Sequence, residues 1–312
     1  MSTRQGQEGD GSEPALSAIM SERRQLINLA YRLLGSLAEA EDAVQETYAR
    51  WYAMSPQEQE AIESPGAWLS KVASRICLDV LRSARARRER YVGEWIPEPL
   101  PDPAESGRPG AITADPADRV TLDESVSMAF LVVLESMTPA ERVALILHDV
   151  FGYSFIEVAD IVGRTPQACR QLASSARQRI RGSRPAANPA TSRQAGLVRD
   201  FKRAWEAKDI GALIGLLDPG ATVTADGGGL VSAALQPIRG SQQIARYVVD
   251  LATRVADAVT ITERTVNGQP GLVAEQDGVI VTVFAFEVAD DRITHIWAVR
   301  NPDKLRPWTQ PG

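Results

Sequence analysis

The spacing of apolar residues divides the chain into two helical segments and a third segment of mixed pattern. Apolar positions recur at helical spacing from about Leu16 to Val92 and again from about Leu122 to Arg181. These periodicities predict two all-α domains, over residues 16–92 and 121–182. Residues 1–15 are rich in Gly, Ser, Gln and acids, and this composition predicts a disordered tail.

Proline-rich segments separate the predicted domains. Residues 93–120 contain six prolines, which exclude regular helix and predict an extended linker. Residues 183–192 contain Pro185 and Pro189 and predict a second, shorter linker. The pattern therefore predicts three folded parts joined by two linkers.

The last part of the chain, residues 193–312, changes to a mixed periodicity. Helices are expected over residues 193–208, 210–217 and 241–254. A short run at 221–224 leads into a glycine-rich turn, and strands are expected over residues 259–266, 271–276, 279–288 and 292–300. Asn267-Gly268, Asp277-Gly278 and Asp290-Asp291 lie between these strands as turn signals. The pattern predicts an α+β domain.

The segment from Ser154 to Arg181 has the layout of a helix-turn-helix. Ser154 and Glu157 form a capping box that begins the first helix, and Gly163 ends it. Thr165 caps the second helix, which has Pro166 at its first position. A further capping box at 138–141 predicts a supporting helix through residue 147.

The second helix presents a basic face suited to DNA. Residues 164–184 contain six arginines and no acid, and such a helix can enter the major groove and bind phosphates and guanine edges. An ordinary helical hairpin with a solvated arginine face would have the same pattern.

The first helical domain combines an acidic helix with a basic one. The helix that begins near Glu39 exposes Asp42, Gln45 and Glu46, and the helix over residues 67–82 runs into a basic segment that includes Arg85. A solvated helical bundle explains both faces. Alternatively, one face binds a protein partner and the other binds melted DNA.

Taken together, these segments resemble the extracytoplasmic-function (group 4) RNA polymerase sigma factors, over roughly residues 16–182. The stretch from Asp42 to Thr47 resembles region 2.2, Trp68–Arg90 resembles regions 2.3 and 2.4, and Thr138–Arg181 resembles region 4. The resemblance implies promoter DNA and core RNA polymerase, at its β′ clamp and β flap, as partners. It assigns polymerase binding to Asp42, Gln45 and Glu46, −10 binding to Trp68, Lys71, Arg75, Arg82 and Arg85, and −35 binding to Arg164, Gln167, Arg170, Gln171, Ser174, Arg177 and Arg181.

Three further motifs resemble those of a subgroup with a fused C-terminal SnoaL-like domain, to which the SigJ-type sigma factors belong. They are Trp95-Ile-Pro-Glu-Pro, Asp226-Gly-Gly-Gly and Asn301-Pro-Asp-Lys-Leu. The resemblance implies a cone-shaped α+β barrel over residues 193–312 that regulates the sigma domains. The predicted regulatory interface consists of Trp95, Pro97, Asp226, Gly227, Gly228, Asn301 and Asp303.

The chain departs from the family pattern at three positions that affect promoter detail. Leu230 stands where the subgroup usually has lysine, Arg75 where many members have asparagine, and Ser175 where arginine is frequent. The assignment of single bases to single side chains is correspondingly loose.

Two other functions are compatible with parts of the sequence. The last domain can be an enzyme or ligand sensor, with Asp226 and His295 as its acid–base pair, although a turn aspartate and a strand histidine explain both residues more simply. Small-ligand binding there stays open. A helix-turn-helix repressor or activator explains the second and third domains but not the first.

Composition excludes several classes of protein. Two distant cysteines, Cys77 and Cys169, and two histidines predict neither a disulfide framework nor a metal site, and no cofactor or catalytic residue is expected. The net charge of −6 argues against nucleic-acid binding only for the chain as a whole. No signal peptide or membrane span is expected, which predicts a cytoplasmic protein.

Overall fold

The computed structural model describes residues 12–88, 91–102, 126–182, 191–255 and 258–309. Much of the predicted tail and of both predicted linkers lies outside these residues, at positions 1–11, 103–125 and 183–190. Arg85, which the resemblance assigns to −10 binding, is not among the residues whose side chains the structure describes.

The first domain consists of four helices. They are α1 (Ser12–Leu34), α2 (Leu37–Tyr52), α3 (Pro56–Glu60) and α4 (Pro65–Arg88). Ser36 caps α2, because its Oγ accepts the amide of Glu39 at 3.4 Å. Helix α1 begins four residues inside the predicted tail, with Pro14 in the first turn, where its missing N–H costs no hydrogen bond.

The second domain contains the predicted helix-turn-helix. Its helices are α5 (Met128–Glu135), α6 (Pro139–Leu145), α7 (Phe155–Val162) and α8 (Pro166–Gly182), and a π-helical turn, Ile146–Val150, extends α6. Both predicted capping boxes are present, at Thr138 with Glu141 and at Ser154 with Glu157. Gly163 ends α7 in the left-handed conformation, with φ of +72°.

The two helical domains pack against each other around one continuous apolar core. Leu33 and Cys77 of the first domain belong to the same buried cluster as Leu147 and Ala173 of the second. Arg142 of α6 crosses this boundary and donates to the carbonyl oxygen of Leu33 at 2.9 Å. The predicted linker therefore joins domains that are in direct contact.

The third domain is a six-stranded mixed sheet with three helices. In chain order it contains α9 (Thr191–Glu206), α10 (Ile210–Leu216), β1 (Leu217–Asp226), β2 (Ile238–Arg239), α11 (Ser241–Val255), β3 (Thr260–Val266), β4 (Gln269–Gln276), β5 (Val279–Ala289) and β6 (Arg292–Val299). The strand order is β2-β1-β6-β5-β4-β3, and only β1 and β6 run parallel. Two 3-10 turns follow, Pro302–Lys304 and Arg306–Trp308.

The predicted turns and the predicted α+β fold are confirmed. Both residues of Asn267-Gly268, Asp277-Gly278 and Asp290-Asp291 have positive φ, as two-residue hairpin turns require. Strand β1 begins four residues before the predicted run, because the turn-like Asp218-Pro219-Gly220 lies within the strand as an irregularity in its pairing with β6. Helix α9 likewise begins inside the predicted second linker.

The sheet buries both of its faces. The inner face packs on the three helices, through residues such as Phe201, Ile244 and Phe284. The outer face packs on the linker and on α5, where Ile96 and Met128 share a cluster with Trp297 and other sheet residues. The third domain therefore contacts the linker and the second helical domain at once.

Candidate functional site

The predicted polymerase-binding residues lie on the exposed face of α2. Asp42, Gln45 and Glu46 are exposed, while Ala43 and Thr47 on the opposite face are buried. Glu46 pairs with Arg50 at 2.9 Å, one helical turn away. The face is therefore open to a protein partner, and its assignment to polymerase stays a prediction.

The predicted −10 residues lie along α4. Trp68 is half-buried, and its ring meets that of Trp51 edge to face at 5.2 Å. Lys71 is half-buried, whereas Arg75 and Arg82 are exposed, and Arg82 pairs with Asp79 at 3.1 Å. The helix thus carries a basic surface next to an anchored aromatic ring.

The predicted −35 residues form an exposed face on α8 and the turn before it. Six of the seven are exposed: Arg164, Gln167, Arg170, Gln171, Ser174 and Arg181. Arg177 instead makes a two-point ion pair with Asp149 of the π-helical turn, at 2.7 and 2.5 Å. The sequence analysis missed Asp149, which lies 28 residues before its partner.

An ion-pair cluster joins the −10 helix to the helix-turn-helix. Asp160 of α7 pairs with Lys71, and it accepts hydrogen bonds from Arg75 through its carboxylate and its carbonyl oxygen, both at 3.0 Å. The bond from Lys71 is the main cause that lowers the pKa of the Asp160 carboxyl. Two predicted DNA-binding cations are therefore occupied by the neighbouring domain, an arrangement that no local pattern indicated.

The linker segment 91–101 is held by a buried carboxylate of the third domain. Asp226, 1% exposed, stands at the end of β1. Its Oδ1 accepts the hydroxyl of Tyr91 at 2.6 Å and the amide of Gly228 at 3.0 Å. Its Oδ2 accepts the amide of Ile96 at 3.0 Å and the ammonium of Lys304 at 2.6 Å. We call Tyr91, Ile96, Asp226 and Lys304 the linker clamp.

Lys304 completes the clamp from the C-terminal side. Its Nζ also donates to the carbonyl oxygen of Ile96 at 2.5 Å and lies 4.0 Å from the ring centre of Trp95. An ammonium over an indole face is attractive, and more so away from water. Burial, followed by the Asp226 carboxylate, raises the pKa of Tyr91 and keeps its hydroxyl a donor.

The predicted interface residues contribute unequally to this site. Asn301 donates to the hydroxyl of Tyr91 at 2.8 Å, while Asp303 directs its carboxylate to Arg306 at the surface. A side chain at Gly228, which has φ of +65°, would overlap Asn301. A side chain at Gly227 would overlap the carbonyl oxygen of Val231. Both positions therefore require glycine for this close packing.

Trp95 and Pro97 pack against the first domain. A Cβ at Gly35 would lie 3.1 Å from the Trp95 ring and 3.5 Å from Pro97, so glycine allows this approach. Gly35 also accepts the amide of Glu98 at 2.8 Å through its carbonyl oxygen. Lys304, Tyr91 and Glu98 were missed as interface residues, although each lies in or beside a motif that the sequence analysis quoted.

The linker is also fixed to the first domain and to the sheet further along. The Glu98 carboxylate accepts the amide of Leu37 at 2.8 Å, and its carbonyl oxygen accepts the hydroxyl of Tyr31 at 2.7 Å. Asn267 donates to that same hydroxyl at 2.8 Å, and Trp308 donates to the carbonyl oxygen of Pro99 at 2.8 Å. One extended segment thus connects the first and third domains.

Asp226 and His295 do not form an acid–base pair. In the sheet register Asp226 lies beside Val299, whereas His295 lies beside Thr222, four positions back. His295 stacks on Trp297, and its Nδ1 lies 3.1 Å from Glu287 without hydrogen-bond geometry. The domain's inner cavity is lined by the neighbours Ile296 and Ala298 instead.

Within the described ranges, no group of three or more His, Cys, Asp or Glu side chains is placed to hold a metal ion. In the same part of the chain, no helix combines the length and apolar character that crossing a bilayer requires.

Comparisons with known proteins cover nearly the whole chain. Residues 18–87 match the model for Sigma-70 region 2, and residues 127–180 match that for Sigma-70, region 4. The ECF RNA polymerase sigma factor SigJ of Mycobacterium tuberculosis is 37% identical over 91% of this chain and 90% of its own. The probable ECF RNA polymerase sigma factor SigI of the same species is 33% identical over 95% of this chain and 96% of its own.

A solved structure extends the likeness to the arrangement of the domains. The crystal structure of Mycobacterium tuberculosis SigJ superposes with a TM-score of 0.74 at 33% identity, covering 94% of this chain and 98% of the other. The match therefore includes the linker and the third domain as well as the two sigma regions. On this agreement of sequence and fold, the chain belongs to the extracytoplasmic-function RNA polymerase sigma factors and acts in promoter-directed transcription initiation.

Proposed function

We propose that the third domain regulates this sigma factor in cis by holding the linker and, through it, the spacing of the two DNA-binding domains. The observation that carries the proposal is the linker clamp, in which the buried Asp226–Lys304 pair binds both the amide and the carbonyl oxygen of Ile96. In this assignment α2 binds the polymerase clamp, α4 binds the −10 element and α8 binds the −35 element.

The distance between the two promoter elements supports the proposal that this conformation is a closed one. Positions −35 and −10 are about 25 base pairs apart, which is roughly 85 Å at ~3.4 Å per base pair. In the structure, Lys71 and Arg75 of the −10 helix touch Asp160 of the helix-turn-helix. Both elements cannot be bound while these residues are in contact, so promoter binding requires the sigma domains to separate.

The strengths of the two restraints differ. The ion pairs of Asp160 are about half exposed, and exposed pairs contribute only ~0–1 kcal/mol each, so phosphate groups can replace them. The linker clamp is buried, and breaking a buried pair costs ~3–5 kcal/mol. Of these two polar restraints, the linker clamp of the third domain is therefore the stronger.

A truncation series tests the regulatory role. Deletion after Arg181, deletion of residues 301–312, and Asp226→Ala should each change run-off transcription with purified core polymerase, and by different amounts. Asp250→Ala, which breaks an exposed ion pair on α11, is the matched control and should leave activity unchanged. Equal activity and equal promoter occupancy for all variants would refute cis regulation.

Two further measurements test the closed state and the sigma role. Asp160→Asn should raise promoter binding by the free chain, because Lys71 and Arg75 become available to DNA. Core polymerase should bind the chain in the absence of DNA, which a simple operator-binding regulator does not require. Unchanged promoter affinity in the Asp160 variant would show that these contacts do not occlude the −10 surface.

A further inference from the structure

The third domain contains a partly open cavity of about 570 Å³ between its sheet and helices α9 and α11. Aliphatic side chains form most of its apolar wall, together with a group of aromatic ones: the rings of Trp205 and Phe284 meet edge to face at 5.2 Å, and the ring of Phe201 lies 6.0 Å from that of Trp205. Cavities of this volume with mostly apolar walls and a few polar groups are typical of small-molecule sites.

The polar groups of the cavity lie towards one end of the sheet. The lining includes Gln276 at the last residue of β4, Thr282 near the start of β5 and Arg300 directly after β6. Lys208 also lines the cavity, whereas the one acid among the described lining residues, Glu206, is paired with Lys202 at 3.0 Å. Two cations beside an apolar interior favour an amphipathic molecule with an anionic head.

We propose that this cavity binds an apolar carboxylic acid, with its hydrocarbon among the aromatic side chains and its carboxylate at Arg300 and Lys208. We infer further, resting on the cis regulation proposed above, that the bound acid tightens the linker clamp. The structure thereby assigns an effector site to the third domain.

The coupling follows from residues that the cavity and the clamp share. Ala225 and Arg300 line the cavity. Asp226 follows Ala225 along β1 and is paired across the sheet with Val299, the residue before Arg300. The carbonyl oxygen of Asp226 accepts the amides of Arg300 at 2.7 Å and of Asn301 at 3.0 Å. A ligand that binds Arg300 orders the strand ends that position the Asp226 carboxylate. It shifts the linker towards the docked state only to the extent that it binds the docked state more tightly than the released one.

Binding is tested first, with the full chain and defined probes. Decanoate and naphthalene-2-carboxylate should each bind saturably in a fluorescence titration, because Trp205 lies in the cavity wall. Decanol should bind roughly tenfold more weakly than decanoate, as expected for loss of a hydrogen bond to a charged group. Arg300→Gln should reduce the affinity for decanoate to that for decanol.

Plugging variants locate the site. Ala274→Phe and Val281→Phe place a ring in the cavity from two strands, and either should abolish binding while circular dichroism confirms the fold. Val279→Phe is the matched control, because Val279 lies on the same strand as Val281 but is exposed outside the cavity. No saturable binding of either acid, or full binding to a folded plugged variant, would overturn the site.

The coupling is read from hydrogen exchange at the amide of Ile96, which donates to Asp226. Decanoate should slow this exchange several-fold in the wild type and have no effect in Ala274→Phe. Binding without slower exchange would overturn the coupling. These outcomes are independent of the truncation series, since cis regulation can hold for a domain that binds no acid.

Discussion

Replacing Asp226 with alanine should release the linker from the third domain. The carboxylate accepts four hydrogen bonds, two of them from Tyr91 and Ile96 of the linker. Its removal also takes away the carboxylate that lies 2.6 Å from the ammonium of Lys304, whose side chain is only 10% exposed. The variant therefore loses contacts to the linker and leaves a buried ammonium with less compensating negative charge.

The expected cost can be bounded from this geometry. Breaking one partner of a buried pair costs ~3–5 kcal/mol, which corresponds to a change of roughly 10²–10³·⁵ in the docking equilibrium. Lys304 can be hydrated again when the linker leaves. The loss in stability of the docked linker therefore cannot exceed the total free energy of linker docking. The remaining contacts, Pro99 with Trp308 and Glu98 with Leu37, should keep the linker partly ordered.

Native-state hydrogen exchange measures this change at the amide of Ile96. Exchange in Asp226→Ala should approach the rate of an open segment, because local opening free energies set protection. Asp250→Ala should leave it unchanged, since the ion pair that it breaks is exposed to solvent and lies on α11, away from the linker. Full protection of Ile96 in a folded Asp226→Ala chain would refute the clamp.

A second substitution separates charge from packing. Lys304→Met alone leaves Asp226 buried without its cation, so it should also loosen the linker. Asp226→Ala/Lys304→Met removes both charges of the pair together, so the double variant should lose less than the sum of the two single changes. Strict additivity would mean that the two side chains act independently.

Three further predictions concern other surfaces. Asp42→Ala with Gln45→Ala should weaken competition for core polymerase at unchanged thermal stability, since both side chains are exposed; normal competition would refute the docking face. Arg170→Ala should cost ~1–3 kcal/mol of promoter binding if it contacts a base, or lower the salt slope by about one if it contacts phosphate. Unchanged affinity and slope would remove Arg170 from the interface. Burial raises the pKa of Glu98, so its proton-linked stability should be lost as pH rises through that pKa, and Glu98→Gln should flatten this part of the thermal-midpoint profile. An equally steep profile in Glu98→Gln would contradict the assignment.

Local features were predictable from the sequence because short-range chemistry determines them. The capping boxes at Thr138 and Ser154 begin their helices where the pattern predicted. The hairpin turns follow from residues that tolerate positive φ. These features depend on neighbours within one or two helical turns.

The contacts between domains were not predictable in the same way. Asp160 looks like an ordinary exposed acid on a short helix, and its partners Lys71 and Arg75 lie 85 or more residues earlier. The sequence analysis assigned Asp303 and not Lys304 to the regulatory interface, because the pattern does not show which of the two side chains is buried. Pairing at such separations depends on how whole domains pack, and apolar periodicity does not encode it.

The order in which the chain is synthesised gives the clamp a delayed onset. Both sigma regions are complete by Gly182, whereas Lys304 lies beyond the last strand, β6, which pairs in parallel with β1. At ~5–20 residues per second, the remaining ~120 residues take roughly 6–24 s to emerge. Each newly made molecule therefore passes through an interval in which both sigma regions are complete and the third domain does not yet hold the linker.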